Sequence, residues 1–457
     1  MDFFIFKLGL RCFVLSLLSK EDVLEKAKEY DVKFIRLQFT DILGSFKNIA
    51  ITIEELERAL NGGIMFDNAV IEGFAQSKQS DIYLCPDPET FVIFPWRPRN
   101  GAVARLICDV YGSDGEPFSA CPRSVLKRVL LEAERLGYGL RSGAEIEFFM
   151  FYMDDQGKPT TVTHDQAGYC DLTPVDLGEN ARRDMVLTLE SMGFEISSSH
   201  HEVSAGQHEI SLKESDALSM ADNLATFKFV VRTIAQRHGL HASFMPKPLA
   251  GFNGSGLHLH HSLWKEGENA FHAPSHANCQ QLSKTAYYYM GGLLEHARAL
   301  TAITNPLINS YKRLGLDLAA PVLAGWSEQN RSTMIRVPSQ RESGTRIVLR
   351  SPDGTCNPYL AMAVTLKAGL VGIISKIKPP AAMEENNLHG GLGKIIKNYG
   401  LPSNLNEALC ALSANEVIKE TLGEQIYSRF IETKEEECKR FNTIIHPWEI
   451  EEYLRNY

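Results

Sequence analysis

No two of the nine cysteines form a C-x-x-C pair, and their odd number, spread from Cys12 to Cys438, offers no disulfide framework. That usage excludes a small stapled extracellular scaffold and suits free thiols in a reducing, cytoplasmic setting. Positive charge is short as well. The 47 Lys and Arg stand against 56 Asp and Glu, a net −9, with a pI near 5.9. This balance argues against nucleic acid or an acidic membrane surface as a general partner. Apolar runs of spanning length are missing. The nearest is residues 1–18, MDFFIFKLGLRCFVLSLL, where Lys7 and Arg11 precede an apolar stretch as at the start of a signal peptide. It is too short for a bilayer, and Ser19-Lys-Glu-Asp follows where a small-residue cleavage site would stand. Residues 1–18 therefore read as an extension or a mis-called start, and the chain as soluble. Neither an internal repeat nor a low-complexity segment occurs. What remains is an ordinary globular composition, 44% hydrophobic and 23% charged over 457 residues, enough for two or three domains.

The pattern divides near Tyr111-Gly-Ser-Asp-Gly-Glu-Pro-Phe-Ser-Ala-Cys-Pro122, a segment dense in turn residues. Before it, Ser19 with an acid three residues on predicts a helix from about 20. Alternation predicts strands over 32–39, 82–84, 90–94 and 102–110, a small mixed α+β unit. Beyond it, longer helices (123–136, 178–192, 218–238, 284–303) alternate with isolated strands (143–150, 194–199, 241–244). From 357 onward the chain reads as mostly helical. This second part is expected to be one large α/β domain whose strands carry the polar residues.

One strand stands out. In Gly143-Ala-Glu-Ile-Glu-Phe-Phe-Met150 two carboxylates, Glu145 and Glu147, lie two residues apart in an apolar run, so they share a face. Like charges inside a core cost several kcal/mol unless neutralised. Either a cation binds there, or the strand end is solvated. Two further segments bear on the choice. His200-His-Glu-Val-Ser-Ala-Gly-Gln-His-Glu209 supplies Glu202 and Glu209 around a glycine turn. Asn253-Gly-Ser-Gly-Leu-His-Leu-His260 feeds a strand on which His258 and His260 share a face. Four carboxylates and an imidazole suit Mg2+ or Mn2+ rather than Zn2+. Downstream, Arg313, Arg331, Arg336, Arg346 and Arg350 crowd one stretch. They are either a solvated basic face or, beside a divalent metal, equipment for phosphoryl transfer. Arg346 and Arg350 flank apolar strand residues, which favours the second.

The segments GAEIEFF, HHEVSAGQHE, NGSGLHLH, NSYKR and NRSTMIRVP, with MFDNAVIEGF, GYCDLTPVD, PDGTCNPYLA and HPWEIEEY, resemble the signatures of the glutamine synthetase family, in order, from about residue 20 to the end. The likeness is to the bacterial type I, non-adenylylated form. It implies an α+β architecture: a small N-terminal β-grasp domain (19–115) and a large catalytic α/β domain with a curved antiparallel sheet (122–457). It also implies a homo-oligomer, a dodecamer, with active sites shared between neighbours. The implied reaction joins glutamate and ammonia at the expense of ATP, through a γ-glutamyl phosphate. By resemblance Glu147, Glu202 and Glu209 hold one metal, and Glu145 and His258 belong to a second. Asn253, Gly254, Arg313 and Arg350 hold glutamate. His260, Ser262, Arg331, Arg336 and Arg346 serve ATP and the transferring phosphate, Arg331 catalytically. Asp67, lent by a neighbouring subunit, deprotonates ammonium near Tyr169.

The sequence departs from that pattern where the chemistry is. Ala319 stands at the family's flap glutamate, and Val348 at a glutamate ligand of the second metal. By period two Val348 points where Arg346 and Arg350 point, so an apolar group faces the phosphate pocket. Val70 replaces a serine, Ser197 a nucleotide-side glutamate and Gln76 a feedback-linked arginine. A lost general base typically costs about 10²–10⁴ in rate, and a change near a metal about 10–100-fold. Three readings follow: an ordinary ammonia ligase of low activity, a γ-glutamyl ligase for a bulkier organic amine, or a non-catalytic nucleotide-binding paralogue.

Overall fold

The computed structural model describes residues 18–67, 81–97, 100–274, 281–315, 320–384, 396 and 398–457. The sequence expectations at 1–17, Val70, Gln76 and Ala319 lie outside them. The N-terminal sheet comprises β1 (Val32–Thr40), β2 (Phe46–Thr52), β3 (Ile64–Asp67), β4 (Asp81–Pro86), β5 (Val92–Ile93) and β6 (Ala102–Gly112). Its order is β2-β1-β6-β4-β3, with β5 on β6 and a parallel β1–β6 pair at the centre. The preceding helix Lys20–Glu29 starts where expected, with Ser19 and Asp22 exchanging capping hydrogen bonds. The strand expected over 90–94 shrinks to the two residues of β5. Asp87 caps a 3-10 turn, Pro88–Thr90, accepting from the Glu89 amide at 3.2 Å, and this turn takes over the segment's start.

The large sheet has ten strands: β7 (Gly139–Met153), β8 (Pro159–Thr163), β9 (Ile196–His201), β10 (Gln207–Asp216), β11 (Leu240–Ser243), β12 (Leu257–Lys265), β13 (Glu268–Asn269), β14 (Leu323–Ser327), β15 (Thr333–Arg336) and β16 (Ile347–Leu349). Its spine runs β14-β15-β16-β12-β7-β10-β9, antiparallel throughout except for the parallel β14–β15 pair at the edge. On β7, Ala144, Ile146, Phe148 and Met150 are buried in the main core, and the strand packs against helices Pro122–Arg135 and Ala217–Arg237. Burying one such side chain is worth about 1.5–3 kcal/mol, so the apolar half of the alternation decides which face turns inward. Gly143, Glu145 and Glu147 are thereby forced onto the other face.

The long helix expected over 284–303 is two helices, Lys284–Glu295 and Ala297–Thr304, broken at His296. Gly292 lets the first pack against helix Pro358–Ile374 so closely that a Cβ there would lie 2.1 Å from the Ala368 carbonyl, and Gly291 meets the Ile377 carbonyl just beyond that helix equally closely. The His296 ring meets Asn415 Nδ2 at 2.9 Å. Tertiary docking fixes the break, which helical periodicity does not register. Between the domains, Arg123 at the start of helix Pro122–Arg135 meets Asp87 at 2.7 Å, Asp109 at 2.8 Å and Asp222 at 2.9 Å.

Candidate active site

Strand register assembles the site. Residues directly opposite in adjacent strands share a face. Glu147 lies opposite Glu209 on β10, and Glu209 opposite His200 on β9. Glu145 lies opposite His258 on one side and Ser211 on the other. His260 lies opposite Gly143 and Val348, and Val348 opposite Arg336. Three strands read as carboxylate- or histidine-bearing, and the one read as carrying arginines, thus form one continuous polar face.

The carboxylates crowd. Glu145, Glu209 and His258 offer donor atoms within 4.8 Å of one another, and so do His200, Glu202 and Glu209, so Glu209 belongs to both groups. Its carboxyl is pushed up to about 9 by burial and by the charges of Glu147, Glu145 and Glu202. A buried acid forced to hold a proton by three others marks a site deficient in positive charge, and the oxygen-rich donor set fits a hard divalent cation. Glu145 differs. Burial works against its ionisation, yet His258 and His260 hold its carboxyl well below the usual range. His258 is lowered from the ordinary imidazole value by burial, then by Arg350, with Glu145 and Glu147 opposing. Its Nδ1 lies 2.8 Å from Glu145 Oε2, which leaves Nε2 facing Glu147 Oε1 at 3.8 Å. A histidine held by one nitrogen with the other free has the posture of a metal ligand.

Two details differ from the ligand sets that the resemblance implies. Glu147 is outside both compact groups, because its Oε2 turns to accept from the Gly256 amide at 2.7 Å. His200, its Nε2 3.1 Å from Glu202 Oε1, joins a group no carboxylate count includes. The available signal was its position two residues before Glu202, near the end of β9.

The remaining candidates sort by what they touch. His260 Nε2 lies 3.1 Å from Glu145 Oε1, on the carboxylate side of the row. Ser262 donates to Glu214 at 3.1 Å. Arg350 is brought down to about 10 by burial, with Glu147 opposing and Arg313, Arg331 and Arg336 reinforcing the shift, so these four cations share one neighbourhood. Arg346 bonds to Gln340 and the Gly344 carbonyl, while its Nε is buried with no partner. Arg313 is spent largely on backbone: it donates to the carbonyls of Arg350, Ser351 and Pro352 at 2.9, 2.8 and 3.1 Å. Beneath it the turn Asn253–Gly256 runs so close that a Cβ on Gly254 would meet the Pro246 carbonyl at 2.5 Å and Arg313 Cγ at 2.8 Å. Asn253 is anchored through its amide to Ser204 Oγ at 2.8 Å.

Val348 is buried at 4% exposure between His260 and Arg336, as period two requires. Ser197 falls at the bulge of the β9–β10 pairing and donates to the Ser211 carbonyl at 3.1 Å. Tyr169 is exposed, its ring edge-on to His200 at 5.2 Å. Asp67 ends β3 on the N-terminal sheet, opposite Asp81, and joins neither donor group of its own chain's catalytic face.

Sequence reasoning also missed the support under the turn that carries Glu202 and leads to Glu209. Asp165 Oδ1 accepts from the Gly206 amide at 2.8 Å and faces His201 Nε2 at 3.2 Å, and His201 Nδ1 reaches the Glu202 carbonyl at 2.7 Å. No periodicity links residue 165 to residues 201–206. Among the described residues no helix is long and apolar enough to cross a membrane.

Known proteins resemble the chain along nearly its whole length. The family model of the glutamine synthetase β-grasp domain matches residues 31–113, and that of the glutamine synthetase catalytic domain matches 119–453. A glutamine synthetase of Clostridium saccharobutylicum is 52% identical over 442 residues, 96% of this chain and 99% of the relative. One of Thermus thermophilus is 51% identical over 96% of this chain and 99% of its own length. Among solved structures, a GmaS/ADP complex superposes with a TM-score of 0.86 at 32% identity, covering 95% of this chain and 99% of that one. The glutamine synthetase of Plasmodium falciparum gives 0.83 at 27%, covering 95% and 98%. With both domain models matched in order and relatives half identical along nearly the whole length, the chain belongs to the glutamine synthetase family of ATP-dependent glutamate–ammonia ligases.

Proposed function

We propose that this chain activates the γ-carboxylate of glutamate with ATP and passes the acyl group to an amine, with ammonia as the nominal acceptor and glutamine as product. The observation that carries the reading is the continuous face from the Glu209-centred carboxylates, through His258 and His260, to Arg336 and Arg350. A γ-carboxylate oxygen attacks the terminal phosphorus of ATP and ADP leaves. The amine nitrogen then attacks the acyl carbon, phosphate leaves, and the nitrogen gives up a proton.

Arg331, Arg336 and Arg346 neutralise the phosphoryl group in flight, and Asn253, Gly254 and Arg350 hold glutamate, with Arg313 bracing the carbonyls beneath. Glu145, Glu147, Glu202, Glu209 and His258 would hold Mg2+ or Mn2+. Such a cation, when bound, supplies charge neutralisation at the phosphates. Asp67 reaches the site from a neighbouring copy in a cytoplasmic dodecamer, and takes the proton from the attacking nitrogen. A relative of the same fold solved with ADP supports a nucleotide subsite.

One observation favours a second reading. Val348 places an apolar side chain inside the polar row, and Ala319 removes a carboxylate that would help capture ammonium. A roomier, less anionic acceptor site suits a primary organic amine. Phosphate release from ATP, with glutamate and Mg2+ or Mn2+, separates the readings. Turnover with ammonia supports the first. A kcat/KM at least about ten-fold higher for a primary amine than for ammonia selects the second. No release with any amine, from a folded assembly, overturns both.

A further inference from the structure

Away from the catalytic face, a concavity of about 680 Å³ lies between the two domains. Residues of β1, β2 and the segment after β5 form one wall, and helix Ala217–Arg237 with Phe244 forms the other. That volume suits a small-molecule site, and none of the residues assigned to the active site borders it.

Its charge is one-sided. Arg36, Arg97, Lys228 and Arg232 line it, and among the described residues no Asp or Glu does. Among the described residues the contacts of these cations are with neutral groups. Arg36 reaches Asn48 Oδ1 at 3.2 Å, and Lys228 the Cys356 carbonyl at 3.2 Å. The Arg232 guanidinium sits 5.3 Å from the centroid of the Phe244 ring. Burial lowers Lys228, with Asp353 opposing the shift. In a chain of net charge −9, cations gathered round one cavity with no acid among its described lining residues focus a positive field into it. The aromatic wall is fixed in place: Phe94 and Trp96 stack at 4.7 Å, and Trp96 meets Phe229 edge-on at 5.6 Å.

We propose that this interdomain cavity binds a small polyanion, a phosphorylated or polycarboxylic metabolite carrying two or more negative charges, as a ligand site separate from the active site. Guanidinium forks match both phosphate and carboxylate. Because each domain contributes cations, an occupant ties the two together, and the ligand stabilises the fold by mass action.

The test uses the assembled full-length protein and two probes, inorganic pyrophosphate and citrate, each followed by titration calorimetry and by melting temperature. The wild type is compared with Arg97→Gln and with Arg97→Gln/Arg232→Gln. Arg97 and Arg232 line the cavity and are both exposed, so neither change opens the core. The expected result is binding of at least one probe, weakened about ten-fold by the single variant and about 100-fold by the double. Turnover without probe should be unchanged. Preference for pyrophosphate assigns a phosphorylated ligand, and preference for citrate a polycarboxylate. Equal affinity in wild type and double variant, which would place the probe elsewhere, overturns the proposal. So does the absence of binding by either probe at about 10 mM, a limit weaker than any useful metabolite site.

Discussion

Raising the pH is the cleanest way to perturb the carboxylate group centred on Glu209. Its ordinary value is 4.5, and in the fold it is pushed up to about 9. The proton belongs to the interacting set, which takes one up where an isolated glutamate would have none. The sign follows from linkage. A folded-state value above the unfolded one gives a contribution fully present below about pH 4.5, lost progressively as pH rises towards 9. At pH 7 the gap to the unfolded value corresponds to about 3 kcal/mol of destabilisation in the metal-free protein. A bound divalent cation replaces the proton, so affinity for Mn2+ should rise about ten-fold per pH unit between pH 6 and 8, with close to one proton released per cation. Calorimetry in two buffers of different ionisation enthalpy counts that proton, and scanning calorimetry follows the melting temperature with and without metal. The metal-free protein should melt lower as pH rises through this window, and the loaded protein should not. An Mn2+ affinity flat from pH 6 to 8 would refute the reasoning, because it would mean the four acids are ionised before the cation arrives.

Val348→Glu puts a carboxylate opposite both His260 and Arg336. It should tighten binding of a second divalent cation about 10–100-fold and raise ammonia-dependent phosphate release, and an unchanged cation titration would show that the row has no room for it. Arg123→Met leaves Asp87, Asp109 and Asp222 without their shared cation. The expected loss is about 3–5 kcal/mol, read as a lower melting temperature. Gly254→Ala drives a Cβ to 2.5 Å from the Pro246 carbonyl. Distortion of the Asn253–Gly256 turn should raise the KM for glutamate about ten-fold or more while Mn2+ affinity holds, whereas an unaltered KM would remove glutamate from this turn.

The alternation of β7 and β12 made Glu145 with Glu147, and His258 with His260, legible as pairs sharing a face, because parity along one strand is a local property. Which strands lie side by side is not local. That His260 meets Glu145, and that Glu209 joins Glu145 and His258 as well as its near neighbours His200 and Glu202, comes from pairings with β7, a strand more than fifty residues from β10. Arg313 shows a different limit. Its place in a motif suggested a substrate contact, but its donors are largely occupied by three carbonyls of the following strand's exit. The break at His296 likewise follows from glycines docking on another helix, a contact that amphipathic periodicity does not encode. Parity also put Val348 on the face of Arg346 and Arg350, and the register sets it opposite Arg336 and His260.

The seam between the two matched domain models is where the chain looks divisible, yet it is not where the protein is. Arg123 belongs to the catalytic segment but draws two of its three acids, Asp87 and Asp109, from the N-terminal sheet. From further along the chain, Asn357 Nδ2 donates to the Asp41 carbonyl at 2.9 Å. Cut at residue 115, one fragment would keep buried acids without their cation, and the other a cation with one acid left. The two modules therefore lack autonomy, and amide exchange at the centres of β1 and β7 should report one common opening reaction, a single cooperative unit written as two.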